Sequence, residues 1–271
     1  MKVLQKNVIV SIRYSVYAPK MQSSWTIGKD TEEEYLSRLF SAERMEQRQK
    51  YFQAITLKSL DALNNKKPEG INFKVIILTS TKLPQVYLNF LREIESERNY
   101  IQVIQLSPEK VDLNAGLTDC VRGMGENDIF ASVRLDDDDG LSNTFIHQLD
   151  KYLSPTLSGF VVSFAVGHGA LLDRNGVIVK IANYKWRFGS AGLAYVSTKA
   201  KAVSSHRYSI YQCGNHTKTD EKCPTVSDGR HAAFIRAFHT ENDSEDKFEK
   251  CVGRLLTEEE VGVKLEVYGL A

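Results

Sequence analysis

The chain has 271 residues, 42% of them hydrophobic and 25% charged, with a formal net charge of +1. That length suits one large α/β domain or two small ones. A balance so near neutral, with no block of like charge, argues against nucleic acid as the main partner.

No apolar stretch approaches the ~20 residues of a membrane-spanning helix. The opening Met1-Lys-Val-Leu-Gln-Lys-Asn7 does not read as a signal peptide. These features point to a cytoplasmic protein. A small basic face would vanish in the total charge, so peripheral association with the inner face of a membrane stays compatible. Cys120, Cys213, Cys223 and Cys251 are scattered without a C-x-x-C pair and read as free thiols. The spacing of Cys213, His216 and Cys223 fits no common zinc pattern, and that stretch reads as a surface loop.

In chain order, Val8 to Val16 is β-branched and apolar enough for a buried strand. Thr31 and Glu34 form a capping box. The helix it opens runs through Leu36, Leu39, Phe40, Met45, Tyr51, Phe52 and Ile55 to about Leu63. Phe73 to Leu78 is a second strand, followed by a helix from about Pro84 to Glu97. Ile101 to Leu106 is a third strand. Ser107-Pro108 opens a helix predicted to reach about Gly123. Ile129 to Leu135 is the fourth strand.

Strands alternating with helices predict a mostly parallel sheet covered on both faces. Beyond a helix from about Ser142 to Leu153 the character changes. Gly159 to Leu172, Val177 to Trp186 and Leu193 to Ser197 read as an antiparallel subregion forming one wall of an acceptor cleft. Lys199 to Ser209 reads as helix and Gly214 to Gly229 as a polar loop. Ala232 to Phe238 reads as a short strand or helix ending at His239. No repeat or linker divides the chain, so residues 1–271 read as a single domain.

The fourth strand delivers four consecutive aspartates, Asp136 to Asp139, followed by Gly140. At about 6 Å and an effective dielectric near 20, one such pair costs roughly 3 kcal/mol. A divalent cation with hard-oxygen preference would relieve that repulsion. In open α/β sheets ligands sit beyond the carboxyl ends of strands, where this cluster falls.

Other aspartate-rich loops fit less well. An EF-hand register with Gly140 in sixth place would need oxygen ligands at Leu135 and Ile146. A phosphatase-type aspartate would precede the Thr79-Ser-Thr81 strand end, and here it follows. No G-x-x-x-x-G-K-[ST] loop is present. There remains a D-x-D-D element in which Asp136 and Asp138 can share a face. The plainer alternative is an acidic helix cap at Ser142.

The run Gly125-Glu-Asn-Asp-Ile-Phe-Ala-Ser-Val-Arg-Leu-Asp-Asp-Asp-Asp139 resembles the strand and D-x-D motif of GT-A-fold glycosyltransferases. More narrowly, the chain resembles the rhamnosyltransferase family of bacterial polysaccharide gene clusters. That likeness also rests on Ile12-Arg-Tyr-Ser15, Leu39-Phe40 with Arg44-Met45 and Arg48, Leu78-Thr-Ser80 with Leu83-Pro84, and Phe238-His239 with Asn242. It implies a GT-A-like, Rossmann-like fold, with a nucleotide-sugar-binding half over residues 1–140 and an acceptor-binding half over 141–271.

The resemblance further implies a UDP-, GDP- or dTDP-linked sugar donor, Mn²⁺ or Mg²⁺ on its diphosphate, and a saccharide or glycolipid acceptor. Within it, Asp138 is the expected metal ligand, with Asp136 toward the ribose or metal, Asp139 in support, and His239 completing the site. Arg13, Asp136 and Asp137 are expected near the nucleotide. Arg44 and Arg48 lie one turn apart on a helix, suited to phosphate oxygens or to salt bridges with Glu43 or Glu46. An inverting reaction also needs a carboxylate base, for which Asp228 is the first candidate and Glu241 and Asp243 are others. Two further function classes fit less well, a non-catalytic carbohydrate- or metal-binding module and a nucleotidyltransferase. The second usually carries a glycine- and lysine-rich motif, which Ser11-Ile-Arg-Tyr-Ser15 lacks.

Overall fold

The computed structural model describes residues 4–20, 31–239 and 247–271. The first strand, β1 (Lys6–Arg13), leads to α1 (Glu32–Leu39) and α2 (Ala42–Tyr51). A π-helical stretch (Phe52–Leu57) joins α2 to α3 (Lys58–Lys66). There follow β2 (Ile71–Ser80), α4 (Gln85–Glu97), β3 (Ile101–Leu106), α5 (Leu117–Arg122), β4 (Ile129–Asp136), β5 (Gly140–Leu141) and α6 (Phe145–Asp150). The second half contributes β6 (Phe160–Phe164), β7 (Val166–Leu172), β8 (Ile178–Lys185), β9 (Ala194–Thr198), α7 (Lys199–Ser205), β10 (Thr225–Asp228) and β11 (Phe234–Phe238). Two helices end the chain, α8 (Phe248–Cys251) and α9 (Glu258–Tyr268).

Seven strands form one mostly parallel sheet in the order β10-β6-β9-β4-β1-β2-β3. Inside it, β1 is paired in parallel with β2 on one side and with the middle strand, β4, on the other. Val8, Val10 and Ile12 on β1 and Val75 and Ile77 on β2 pack into the main core, while Ile9 and Ile76 face a second cluster. Burial on both faces explains why these strands read as continuous β-branched runs. A four-stranded sheet in the order β5-β11-β7-β8 stands beside it.

The mixed α/β architecture follows the expectation, with local differences. The capping box at Thr31 and Glu34 is formed, but the helix expected to run to Leu63 is three α-helices with a π-helical insert. No helix starts at Pro108. Gly116 takes φ +72, and a Cβ there would meet Ile104 Cδ1 at 2.3 Å, so only the short α5 follows it. The expected strand over Gly159 to Leu172 is two. It crosses between sheets at Ala165, whose N–H donates to Asp228 O while its carbonyl accepts from Trp186 N.

The polar stretch before Gly229 holds an edge strand, β10, parallel to β6. The C-terminal α9 opens on its own capping box at Thr257 and Glu260. It carries the buried Tyr268, whose hydroxyl donates to Phe234 O at 2.8 Å and accepts from His168 Nδ1 at 2.7 Å. Among the described residues, no helix is long and apolar enough to cross a membrane.

Candidate active site at the end of the fourth strand

The parallel register sets Arg13, the last residue of β1, beside Asp136, the last residue of β4. Arg13 Nη2 donates to Asp136 Oδ1 at 3.1 Å. Arg134, two residues earlier and so on the same face of β4, donates to both Asp136 oxygens at 3.3 Å. Burial pushes the Asp136 carboxyl up, but Arg134 and Arg13 outweigh it and hold the group well below the usual carboxylate range. The Arg13 guanidinium lies 5.7 Å from the Tyr211 ring centroid.

The chain then turns tightly, with Asp139 N donating to Asp136 O at 3.3 Å. Asp137 points inward and is buried, its Oδ1 accepting from Arg48 Nη1 at 2.6 Å. Its Oδ2 is buried with no hydrogen-bond partner among the described residues. Burial pushes the Asp137 carboxyl up to about 7, against the pull of Arg48, and Asp138 adds to the rise. Asp139 accepts the Ala237 N–H on Oδ1 at 3.0 Å, and its carbonyl accepts Thr56 Oγ1 at 2.8 Å. Burial, then Asp138 and Asp136, hold the Asp139 carboxyl well above the ordinary range. The loop therefore carries fewer than four full charges at neutral pH.

Asp138 meets His239, with Nε2 3.0 Å from Oδ2. The meeting follows from strand register. β5 pairs antiparallel with β11, Gly140 opposite Ile235. Following both chains outward brings Asp139 to Ala237 and then Asp138 to His239. Gly140 is required for this approach, since a Cβ would stand 2.9 Å from Ile235 Cγ2 and 3.0 Å from Ser59 Oγ. The His239 ring stacks on Tyr51, centroids 3.9 Å apart at 20°. Tyr51 ends α2 and Thr56 lies in the π-helical stretch, so this irregular segment buttresses the loop from below.

The expected site residues thus separate into those brought together and those turned elsewhere. Asp138 and His239 converge. Asp136 faces Arg13 and Arg134, and Asp139 faces the β11 backbone, so neither joins that pair. Among the described residues, no group of three or more His, Cys, Asp or Glu is arranged to hold a metal ion.

Arg44 and Arg48 are both buried rather than presented at the surface. Arg44 Nη1 donates to Leu39 O at 3.1 Å and Ser15 Oγ at 3.3 Å, and Arg48 is paired with Asp137. Asp228 ends β10 at the same edge of the sheet, three strand spacings from β4, or about 14 Å. It is gripped by Arg230 through Nε at 2.9 Å and Nη2 at 2.7 Å, and by Tyr152 Oη at 2.7 Å. Arg230 first, with Tyr152, holds its carboxyl well below the usual range, which makes it a poor proton acceptor. Glu241, Asn242 and Asp243 lie outside the described residues.

Several residues at the site were not singled out from sequence. Arg134 carried a legible signal, since strand alternation puts it on the face of Asp136. Arg236 carried none. Its guanidinium lies 4.2 Å from the Trp186 ring and 4.9 Å from Phe238, with Nη1 donating to Tyr184 Oη at 2.7 Å. His216 stands edge-on to Trp186 at 5.9 Å. Its Nδ1 lies 2.7 Å from Phe188 O. Burial first, and Arg134 after it, hold the imidazole below its ordinary value against the Phe188 carbonyl. Cys213 and Cys223 are buried together as free thiols, and His216 is directed to Phe188 and not to them.

Residues 7–251 match the family described as "Putative rhamnosyl transferase". No curated protein matches the chain. Among solved structures it is similar to S. aureus TarS 1–349, at 12% identity and a TM-score of 0.37, covering 86% of this chain and 60% of that one. It is also similar to a putative glucose-1-phosphate thymidylyltransferase from Bacillus anthracis in complex with a sucrose. That match has 10% identity and a TM-score of 0.41, over 84% and 88% of the two chains. A third likeness is to 4-diphosphocytidyl-2C-methyl-D-erythritol synthase from Anaerococcus prevotii, at 7% identity and a TM-score of 0.36, over 84% and 90%. These three likenesses bear on no residue of the site.

Proposed function

We propose, on the premise that the chain belongs to the rhamnosyl transferase family and is a glycosyltransferase, that it is a metal-dependent enzyme of GT-A type. It moves a sugar from a UDP-, GDP- or dTDP-linked donor to a saccharide or glycolipid acceptor in bacterial surface polysaccharide synthesis. The observation that carries this reading is the convergence of Asp138 and His239, 3.0 Å apart, beyond the carboxyl end of β4.

The Asp138 carboxylate suits Mn²⁺ or Mg²⁺, and the His239 imidazole favours Mn²⁺ over the harder, oxygen-preferring Mg²⁺, so Asp138 and His239 would hold the ion. When bound, it would offset charge building on the departing nucleoside diphosphate. Arg13 and Arg134 keep Asp136 ionised and oriented, in position to accept hydrogen bonds from donor hydroxyls. Asp137 and Arg48 hold the turn from within. Tyr51 and Asp138 fix the His239 ring in place.

The test is release of UDP, GDP or dTDP from a panel of donors with a glycan acceptor, with Mn²⁺ and with EDTA. One donor is expected to turn over with Mn²⁺ and to stop with EDTA. Full turnover in EDTA would reject the metal, and uptake of glycan without turnover of any donor would make the protein a binding module.

A further inference from the structure

We propose that His216 is the general base of this transfer, its Nε2 taking the proton from the acceptor hydroxyl; the inference rests on the glycosyl-transfer reading above. The segment between α7 and β10 contains two short 3-10 turns, Ile210–Cys213 and His216–Glu221. It is pinned to the central strands. Tyr211 Oη donates to Ser11 O at 3.2 Å, and Ile210 N donates to Ser132 Oγ at 3.2 Å. This anchoring sets the Tyr211 ring 5.7 Å from the Arg13 guanidinium, and His216, five residues on, stands edge-on at 5.9 Å to Trp186, whose ring lies 4.2 Å from the Arg236 guanidinium.

Hydrogen-bond chemistry then assigns the tautomer. The partner of Nδ1 is the Phe188 carbonyl, which can only accept, so Nδ1 carries the proton. In the neutral ring the lone pair is therefore on Nε2. That nitrogen makes no hydrogen bond among the described residues, and the residue is only half-buried.

The orienting carbonyl belongs to a strained residue. Phe188 is a non-glycine at φ +58, a strained conformation that persists where surroundings enforce it. It is tied on both sides, its N–H donating to Ser163 Oγ at 3.0 Å and its carbonyl accepting from His216. The result is a base nitrogen, an orienting group and a fixed tautomer, the arrangement that proton abstraction needs. Asp228 offers the opposite, with both oxygens occupied by Arg230 and Tyr152.

In the step, the acceptor O–H proton moves to His216 Nε2 as the hydroxyl oxygen bonds to the anomeric carbon. The bond from that carbon to the diphosphate oxygen breaks, and its electron pair leaves with the nucleoside diphosphate. The imidazolium then gives its proton to water. As a single displacement, the transfer inverts the anomeric configuration.

The test compares wild type with His216→Gln, whose side-chain N–H can still reach the Phe188 carbonyl, and with His216→Gly. For His216→Gln, kcat is expected to fall ~10²–10⁴-fold, with acceptor KM and the Kd of the nucleoside diphosphate changed less than about threefold. Imidazole added to His216→Gly should restore part of the lost turnover. A His216→Gln enzyme retaining kcat within about threefold would overturn the proposal. So would a loss confined to nucleotide affinity, or a His216→Gly enzyme that imidazole does not revive. If wild type turns over no donor in the panel, the underlying transferase reading fails as well, and that outcome is seen before any variant is made.

Discussion

The aspartate loop after β4 and the Asp228 corner after β10 stand at the same edge of one sheet, yet they treat carboxylates in opposite ways. Asp228 is closed by a neighbour two residues along its own chain, Arg230, and by Tyr152. Asp136 to Asp139 are spread over three elements: β1 through Arg13, α2 through Arg48, and the end of β11 through the Ala237 amide and the following His239. A local clamp satisfies a charge and makes it inert. In the distributed set Asp138 faces the His239 imidazole, and one oxygen of Asp137 has no hydrogen-bond partner among the described residues.

Mutations can break that contrast. The largest effect is expected for Asp138→Asn, with kcat falling at least ~10³-fold in a donor-turnover assay and the thermal midpoint almost unchanged. Activity within tenfold of wild type, by order of magnitude, would mean the loop is a structural cap. Next comes Arg48→Met, which strands Asp137 in a buried site. Removing one partner of a buried pair costs about 3–5 kcal/mol, measurable as a lower midpoint in urea. An unchanged midpoint would show that Asp137 is held by something else.

Asp228→Asn should lower the melting temperature modestly and keep turnover within about tenfold. A loss as deep as that of Asp138→Asn would restore Asp228 as the base and remove the contrast. The smallest effect concerns the second sheet. Burial holds the His168 imidazole down to about 4, with Lys264 adding to the fall. The unfolded chain then binds more protons than the folded one between about pH 6.5 and 4. The stabilisation is complete above that window and is lost as pH falls through it, by about 1–3 kcal/mol. Urea midpoints at pH 7 and pH 5 should therefore converge in His168→Gln more than in wild type; equal convergence would remove His168 from the account.

Much of the fold could be read from periodicity. The β-branched runs of β1, β2 and β4 are buried on both faces, and that pattern survives without knowledge of neighbours. Failures came where close approach overrides local preference. Ser107-Pro108 looks like a helix start, but Gly116 must sit against Ile104. The short edge strand β10 lies in a polar stretch whose pairing with β6 no local pattern announces.

At the site, the run of four adjacent aspartates is legible in the sequence, but most of the cations around it are not. Arg13, Arg134, Arg48 and Arg236 offset much of the charge, and three of these lie far from the aspartates in sequence. Arg44 and Arg48 were correctly read as sharing a helix face, but periodicity alone does not say whether that face is turned outward or into the protein. The sequence offers His216 only as part of a poor zinc pattern, because its contact with the Phe188 carbonyl is one that no spacing rule encodes.

The most direct measurement is calorimetric titration of Mn²⁺ with nucleoside diphosphate into wild type, Asp138→Asn and His239→Ala. Wild type is expected to bind the nucleotide tightly only with the metal, and both variants to lose this metal-dependent gain. Equal metal-dependent binding by all three proteins would contradict it.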